Sequence, residues 1–330
     1  MSKLGIGIIG CGGIHNAHAP HLVDNDEAYI ACAMDINAEA AKAHCDQYGT
    51  KKWTASLDEL LALDEVDAVA VCTPTGTHRP IVLAAAKAGK HVLCEKPMAM
   101  KVADCEAMAD ACASAGVVLQ IAFVRHFCNE WMTLRDIVRS GRIGRPVVWR
   151  SVSGGSGAPE RWFFDRTMGG GPFIDGAVHN YDFARFIFGD ATTVVSDIGK
   201  LKHDTSAWDT GTVIVHFDSG DQLIMCWSWG LPGFGGAVRA DGAHDILGPL
   251  GSITFPGGNR LQVNLADGEH MEEFPADTGA DWFRAQMAHF IECCRTGKQP
   301  ATGAREGIEA TRIAEAALKA GGAPAIVALG

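Results

Sequence analysis

The opening residues restrict the fold more than any other stretch. Leu4 to Ile9 alternates apolar residues with glycine and predicts a short buried strand. It runs into Gly10-Cys11-Gly12-Gly13-Ile14, ahead of a helical pattern. Strand, glycine turn and helix in that order are the context a dinucleotide-binding fingerprint requires. Gly10 suits the tight turn, and Gly12 lets the backbone approach a pyrophosphate. The phosphates would then sit on the helix N-terminus, where unpaired N–H groups and the dipole favour negative charge. His15 takes the sixth fingerprint position, usually Gly or Ala. A bulky ring there works against close helix–strand packing unless Gly13 compensates.

Ala28 to Met34 predicts a second strand ending in Asp35, at about the spacing from Gly10 expected of a ribose-binding carboxylate. An acid there binds both ribose hydroxyls and repels a 2′-phosphate, and Ile36 and Asn37 offer no cation, so NAD is favoured over NADP. The plainer role for Asp35 is a cap on the following helix, Ala38 to Tyr48, which Asn37 could supply equally well. His15, His18 and His21 recur every three residues, but metal pairs on helices use four-residue spacing with a further ligand from elsewhere. No metal is expected.

Ala68 to Cys72 reads as a buried parallel strand. It stops at Thr73-Pro74-Thr75-Gly76-Thr77-His78, a loop at the carboxyl end of a strand, where open α/β sheets bind ligands. His91 to Cys94 is the next strand, and Glu95-Lys96-Pro97 follows at once. Two charges at the end of a buried strand are costly unless they face a cleft. Their plainer reading is a surface pair on a turn. Strand–helix alternation continues through Val117 to Phe123, which completes a doubly wound parallel sheet over residues 1–124.

The texture then changes. Residues 125–330 read as an α+β domain with a large open, mostly antiparallel sheet. Its strand-like runs are Val147–Ser153, Thr192–Leu201, Gly211–Phe217, Gln222–Trp229, Ser252–Phe255 and Leu261–Asn264. Trp227 and Trp229 share one face, as a packing surface or a subunit contact. The helices Asp281 to Thr296 and Ala304 to Ala320 follow, with a last strand Ala325 to Leu329. The last helix and strand are candidates for packing back on the first domain.

Within this half, Gly169 to Gly189 reads GGGPFIDGAVHNYDFARFIFG. Pro172 fits a first helical turn and Gly189 a helix end. Asp175, His179 and Asp182 fall at i, i+4 and i+7, on one side of the expected helix. A carboxylate one turn from an imidazole can orient the ring and stabilise its protonated form, as a general base needs. The bland alternative is a structural histidine with solvent-facing carboxylates.

A formal charge of −11 argues against nucleic-acid and anionic-membrane partners, and 47% apolar residues supply a sizeable core. No apolar run is long enough to span a bilayer. The start lacks signal-peptide features. Eleven cysteines without a C-x-x-C read as reduced thiols, which points to the cytoplasm.

The pieces GIIGCGGI, CTPTGTH (Cys72–His78), EKPMA (Glu95–Ala99), GGGPFIDGAVHNYD (Gly169–Asp182) and HFIECCRTGKQP occur in this order over nearly the whole chain. Together they resemble the glucose–fructose oxidoreductase/inositol dehydrogenase (Gfo/Idh/MocA) family. The resemblance implies a Rossmann domain followed by a sheet domain whose open face builds homodimers or homotetramers. It implies Lys96, Asp175 and His179 as the catalytic set, with Arg125 (F-x-R) also touching substrate. The implied cofactor contacts are Gly10, Gly12, Gly13, Ile14, Asp35, Thr73, Pro74, Thr75, His78, Glu95, Lys96 and Trp162 (in RWFFD). The implied reaction is NAD-dependent oxidation of a secondary hydroxyl of a cyclitol, polyol or pyranose sugar. Some relatives instead run an NAD-dependent redox-neutral glycosidase cycle, and others are sugar or dinucleotide sensors without turnover.

Overall fold

A computed structural model describes residues 2–23, 25–202, 204–231 and 244–330. The chain divides into two compact units, Met1–Phe127 with Thr278–Ile308 and Cys128–Asp277 with Glu309–Gly330.

The first unit alternates strand and helix: β1 (Leu4–Ile9), α1 (His15–His18), β2 (Ala28–Met34), α2 (Ala38–Tyr48), β3 (Trp53–Thr54), α3 (Leu57–Leu61), β4 (Ala68–Val71), α4 (His78–Lys87), β5 (His91–Cys94), α5 (Val102–Ala115) and β6 (Leu119–Ile121). Its six strands are parallel, in the order β3-β2-β1-β4-β5-β6. Near-continuous apolar runs are what strands covered on both faces require. Ile6, Ile8, Ile9, Val69 and Val71 are accordingly fully buried. The strand order reverses between β1 and β4. The glycine turn after β1 and the Thr73–His78 loop after β4 therefore flank the switch point, where such sheets bind ligands.

The second unit contains α6 (Asn129–Arg139), β7 (Val148–Gly154), α7 (Val178–Phe188), β8 (Ala191–Gly199), β9 (Thr210–Phe217), β10 (Gln222–Ser228), β11 (His244–Gly248), β12 (Gly251–Thr254), β13 (Arg260–Leu265) and β14 (Gly268–Glu273). Among the described residues, only β7 and β10 pair in parallel within its nine-stranded sheet, which is otherwise antiparallel. Alternate residues bury one face, with Val213, Val215 and Phe217 on β9 and Leu223 and Met225 on β10. Trp131 of α6 packs 5.6 Å from Trp149 of β7 and 5.1 Å from Phe183 of α7, so both helices share that face. Strands β11 and β14 escape the sequence reading; β14 is mostly polar and exposed.

Three elements close the chain: α8 (Gly279–Thr296), α9 (Ala304–Leu318) and β15 (Ala325–Ala328). A capping box starts α8, with Thr278 and Asp281 satisfying each other's backbone N–H groups. Instead of one cut at 124/125, the first unit takes back α8. Met287, Phe290 and Ile291 join the cluster formed by Ile6, Ile8 and Leu93. Burial of each such side chain contributes about 1.5–3 kcal/mol. The last strand, expected as a candidate for the first domain, extends the second sheet by pairing with β8.

Candidate active site

In the first unit, Gly10 has a φ of 92°, and a Cβ there would lie 2.8 Å from the Cys72 carbonyl oxygen. Only glycine brings the end of β1 this close to the end of β4. Gly12 and Gly13 are the reverse case. Both are exposed, and a Cβ on either would meet no atom within 4 Å. Ile14, at 37% exposure, stands beside them. This open glycine surface leaves room for a pyrophosphate to reach the backbone. The helix that follows is a single turn, so the cradle is mostly loop backbone.

Asp35 is half-buried at the end of β2. One carboxylate oxygen accepts the Cys11 N–H at 2.8 Å and the other the Asn37 N–H at 2.8 Å. Asn37, not Asp35, caps α2, by accepting from the Glu39 N–H. Asp35 thus ties the glycine turn to β2, and a carboxylate has lone pairs left for two hydroxyls. These features fit a dinucleotide.

His15 does not disturb the packing, nor does Gly13 compensate for it. Its Nδ1 donates to the Gly12 carbonyl, and its ring lies 5.0 Å from His44 and 5.9 Å from Tyr48 on α2. His18 is equally buried, and its Nε2 contacts Glu95 Oε1 at 2.6 Å. The other Glu95 oxygen accepts the Lys96 N–H at 3.1 Å. Burial opposes the Glu95 charge, but the His18 contact and the Lys96 ammonium outweigh it and hold the carboxyl below its usual pKa. The carboxylate expected among the cofactor contacts is therefore committed inside the unit. Lys96 is half-buried, and the Lys96–Pro97 peptide is cis.

The loop after β4 brings one correction. His78, expected among the cofactor contacts, is fully buried, with Nδ1 3.0 Å from the Pro97 carbonyl and Nε2 2.9 Å from the Thr73 carbonyl. Neither nitrogen is left for a cofactor. Its ring clamps the Thr73 loop to the Lys96–Pro97 loop, and burial pulls its pKa down against those carbonyls. Thr73 and Pro74 are half-buried beside it, Thr75 is buried, and Arg125 lies half-buried on a short 3₁₀ turn after β6.

In the second unit, Gly169–Asp182 does not form one continuous α-helix. Pro172–Gly176 makes a wide π turn, closed by the Ala177 N–H on the Pro172 carbonyl at 2.8 Å, before α7 begins. Asp175 lies on the wide turn and His179 on the first turn of α7. The strict one-face spacing is thereby corrected, since a π turn holds more residues than an α turn. The carboxylates do not face solvent: Asp175 is 7% and Asp182 1% exposed, while His179 is half-exposed. Trp227 and Trp229 pack on the same turn, since a Cβ at Gly176 would meet their rings at 2.8 and 3.1 Å. Ser151 Oγ joins Asn180 of α7 and Trp227, each at 3.2 Å.

Trp229, one of the rings on this turn, also lines a cavity of about 930 Å³ in the second unit. Its walls include Trp162, Trp229, Lys202 and the glycine-rich run Ser153–Ala158. A second glycine-rich run, Gly230–Gly236, lies outside the described residues beyond Leu231. Sequence reasoning missed His18 and Lys202. His18 stood only in a histidine repeat, and its partner Glu95 is 77 positions away.

Residues 4–123 match the oxidoreductase family with NAD-binding Rossmann fold, and residues 131–254 match the GFO/IDH/MocA C-terminal domain. The chain is 30% identical over 328 residues to a myo-inositol 2-dehydrogenase of Thermotoga maritima, spanning 95% of each chain. The chain belongs to the Gfo/Idh/MocA family. A scyllo-inositol 2-dehydrogenase (NAD(+)) of Bacillus subtilis is 30% identical across 89% of this chain and 86% of that one. Among solved structures, aldose-aldose oxidoreductase from Caulobacter crescentus, complexed with glycerol, superposes with a TM-score of 0.84. It is 28% identical and covers 99% of this chain and 100% of its own. As a Gfo/Idh/MocA protein, the chain is an oxidoreductase acting on CH–OH groups, and its Rossmann unit takes NAD.

Proposed function

We propose that this oxidoreductase dehydrogenates a secondary hydroxyl of a cyclitol, polyol or pyranose sugar, with His179 as general base. The observation carrying this reading is the turn itself: Asp175 is buried just before a half-exposed His179, on a turn packed by Trp227 and Trp229. Relatives named for inositols and an aldose support the substrate class.

When bound, NAD supplies the hydride acceptor. His179 takes the hydroxyl proton as the carbon–hydrogen bond breaks, and Asp175 orients the ring and offsets its developing charge. Lys96 hydrogen-bonds the hydroxyl oxygen and stabilises its developing alkoxide character. The Glu95–His18 contact positions the backbone that carries Lys96. Arg125 adds a substrate contact. Gly10, Gly12, Gly13, Ile14 and Thr73–Thr75 hold the pyrophosphate side, Asp35 the ribose hydroxyls, and Trp162 the nicotinamide side. Asp35 selects NAD against NADP by repelling a 2′-phosphate. The enzyme works as a homodimer or homotetramer through the open face of the second sheet. All eleven cysteines are free, which suits the cytoplasm.

The test is NADH absorbance with purified protein, NAD or NADP, and a panel of cyclitols and sugars. A substrate-dependent rise with NAD is expected. A rise only with NADP overturns the role of Asp35, and bound cofactor without net NADH on any polyol overturns the dehydrogenase reading.

A further inference from the structure

We propose that His18 and His78, one from each of the two cofactor loops, are positioning residues for Lys96, so that together they govern turnover and not cofactor affinity. The inference rests on Lys96 acting in the dehydrogenation, and it names what places that lysine. Lys96 lies two residues beyond the end of β5, and its four-carbon stem has many rotamers. A reacting group misplaced by about 1 Å loses about 10²-fold in rate, so a lysine on a loop needs its backbone fixed.

Both loops reach it with a buried histidine. The glycine turn leads into α1, whose last residue, His18, meets Glu95 Oε1 through Nε2 at 2.6 Å, while Glu95 Oε2 accepts the Lys96 N–H at 3.1 Å. The Phe283 ring of α8 stands edge-on to His18 at 5.1 Å. The Thr73 loop leads into α4, whose first residue is His78. Its Nδ1 lies 3.0 and 3.3 Å from the Pro97 and Met98 carbonyls, and its Nε2 lies 2.9 Å from the Thr73 carbonyl. Burial lowers the pKa of this ring and favours its neutral form, so its one N–H serves the Lys96 side or the Thr73 side while the ring spans both. The segment is thus held before Lys96 by His18 and after it by His78.

The cradle has supports of its own. Asp35 on the Cys11 N–H, the Gly10 N–H on the Met34 carbonyl at 2.8 Å and His15 on the Gly12 carbonyl fix the glycine turn. The Thr77 hydroxyl closes the other loop, 2.8 Å from the Thr73 hydroxyl and 2.7 Å from the Pro74 carbonyl. Loss of either histidine therefore loosens the Lys96 side while the cofactor side keeps its shape. Glu95 is the sensitive member, because a buried carboxylate stripped of its partner destabilises the fold by itself. A variant that drops His18 has to drop that charge as well.

NADH formation and the Kd for NAD are measured with myo-inositol, scyllo-inositol, D-glucose and D-galactose, using whichever turns over fastest. The pair His18→Leu with Glu95→Met removes the contact and leaves no buried charge. His18→Gln keeps a donor for Glu95, and His78→Gln keeps one for Thr73 but not for Pro97 and Met98. The pair and His78→Gln should each lower kcat about tenfold or more with the Kd for NAD within about threefold, and His18→Gln should retain most of the activity. In a Lys96→Ala background the same changes should cost less than about threefold, whereas a merely structural role costs the same in both backgrounds. Unchanged kcat in variants that fold, equal losses in the two backgrounds, or a Kd that rises in step with the lost turnover overturns the inference. Unchanged turnover in Lys96→Ala alone, or no NADH from any probe, counts against the dehydrogenase reading instead. Where turnover is too low to read, the NMR signal of ¹³C-dimethylated Lys96, assigned with Lys96→Arg, decides the placement. A signal distinct from the other lysines that merges with them in His78→Gln upholds it, and one that is not distinct or does not move overturns it.

Discussion

Two glycine-rich stretches of this chain look alike in sequence and do opposite things. At Gly12 and Gly13 an added Cβ would meet nothing. At Gly169 and Gly176 it would come within 2.6–2.8 Å of the Phe163 backbone and Trp227. The first stretch lacks side chains so that something outside the chain can approach. In the second, the protein itself fills the space, pressing the stretch onto neighbouring backbone and an indole ring. Glycine content alone therefore does not mark a ligand surface, whereas glycine facing open space does. In the filled stretch, chemistry is left to the side chains between the glycines, Asp175 and His179.

The largest effect expected from this contrast lies there. His179→Ala should lower kcat by about 10²–10⁴-fold while NAD affinity and thermal stability hold. Unchanged turnover would remove His179 from the mechanism and leave the filled stretch purely structural.

Next comes the open stretch. Gly12→Val should leave the melting temperature nearly unchanged and raise the Kd for NAD about 100-fold, roughly 2.8 kcal/mol, because the new side chain occupies the ligand's space. An unaltered Kd by calorimetry would show that the cofactor does not use this face.

A paired substitution compares the two stretches directly. Gly169→Ala should destabilise by about 1–3 kcal/mol, since its Cβ meets backbone atoms of Phe163 and Trp162 that cannot swing aside. Gly13→Ala should be neutral or stabilising by about 0.4–1 kcal/mol, through the unfolded chain's lost freedom. Urea unfolding measures both, and equal losses would erase the distinction.

Much of this arrangement was legible in the residues because it is local. The strand–glycine–helix order, the acid at the end of β2 and the Asn37 cap lie within one short segment, and each has a local physical signature. The rest depends on contacts between distant positions. The wide turn at Pro172–Gly176 follows Gly171, which approaches the Trp208 carbonyl from another part of the unit. His78 reads as a loop histidine until Pro97 and Thr73 are seen on its two nitrogens. The His18–Glu95 contact and the return of α8 to the first unit are equally invisible to periodicity, which reports only which face of an element is apolar.

The smallest expected effect concerns what supports the open glycines. His15 holds the Gly12 carbonyl and packs on His44, whose two ring nitrogens are buried without hydrogen-bond partners. Burial, then the neighbouring His15, pushes the His44 pKa down to about 4; burial also lowers His15, against the pull of the Gly12 carbonyl and Asp35. A folded-state pKa below the unfolded value means that the unfolded chain binds the proton first. The stability from neutral His44 is therefore complete above about pH 6.5, declines as pH falls towards 4, and levels off below that. Carboxylates elsewhere also titrate in acid, so the measurement is a difference. Denaturation of wild type and His44→Phe between pH 7.5 and 4 should show the wild type losing stability relative to the variant across this window. Parallel curves would mean that the histidine cluster is indifferent to protonation, and that the open loop rests on Asp35 and its two backbone N–H groups alone.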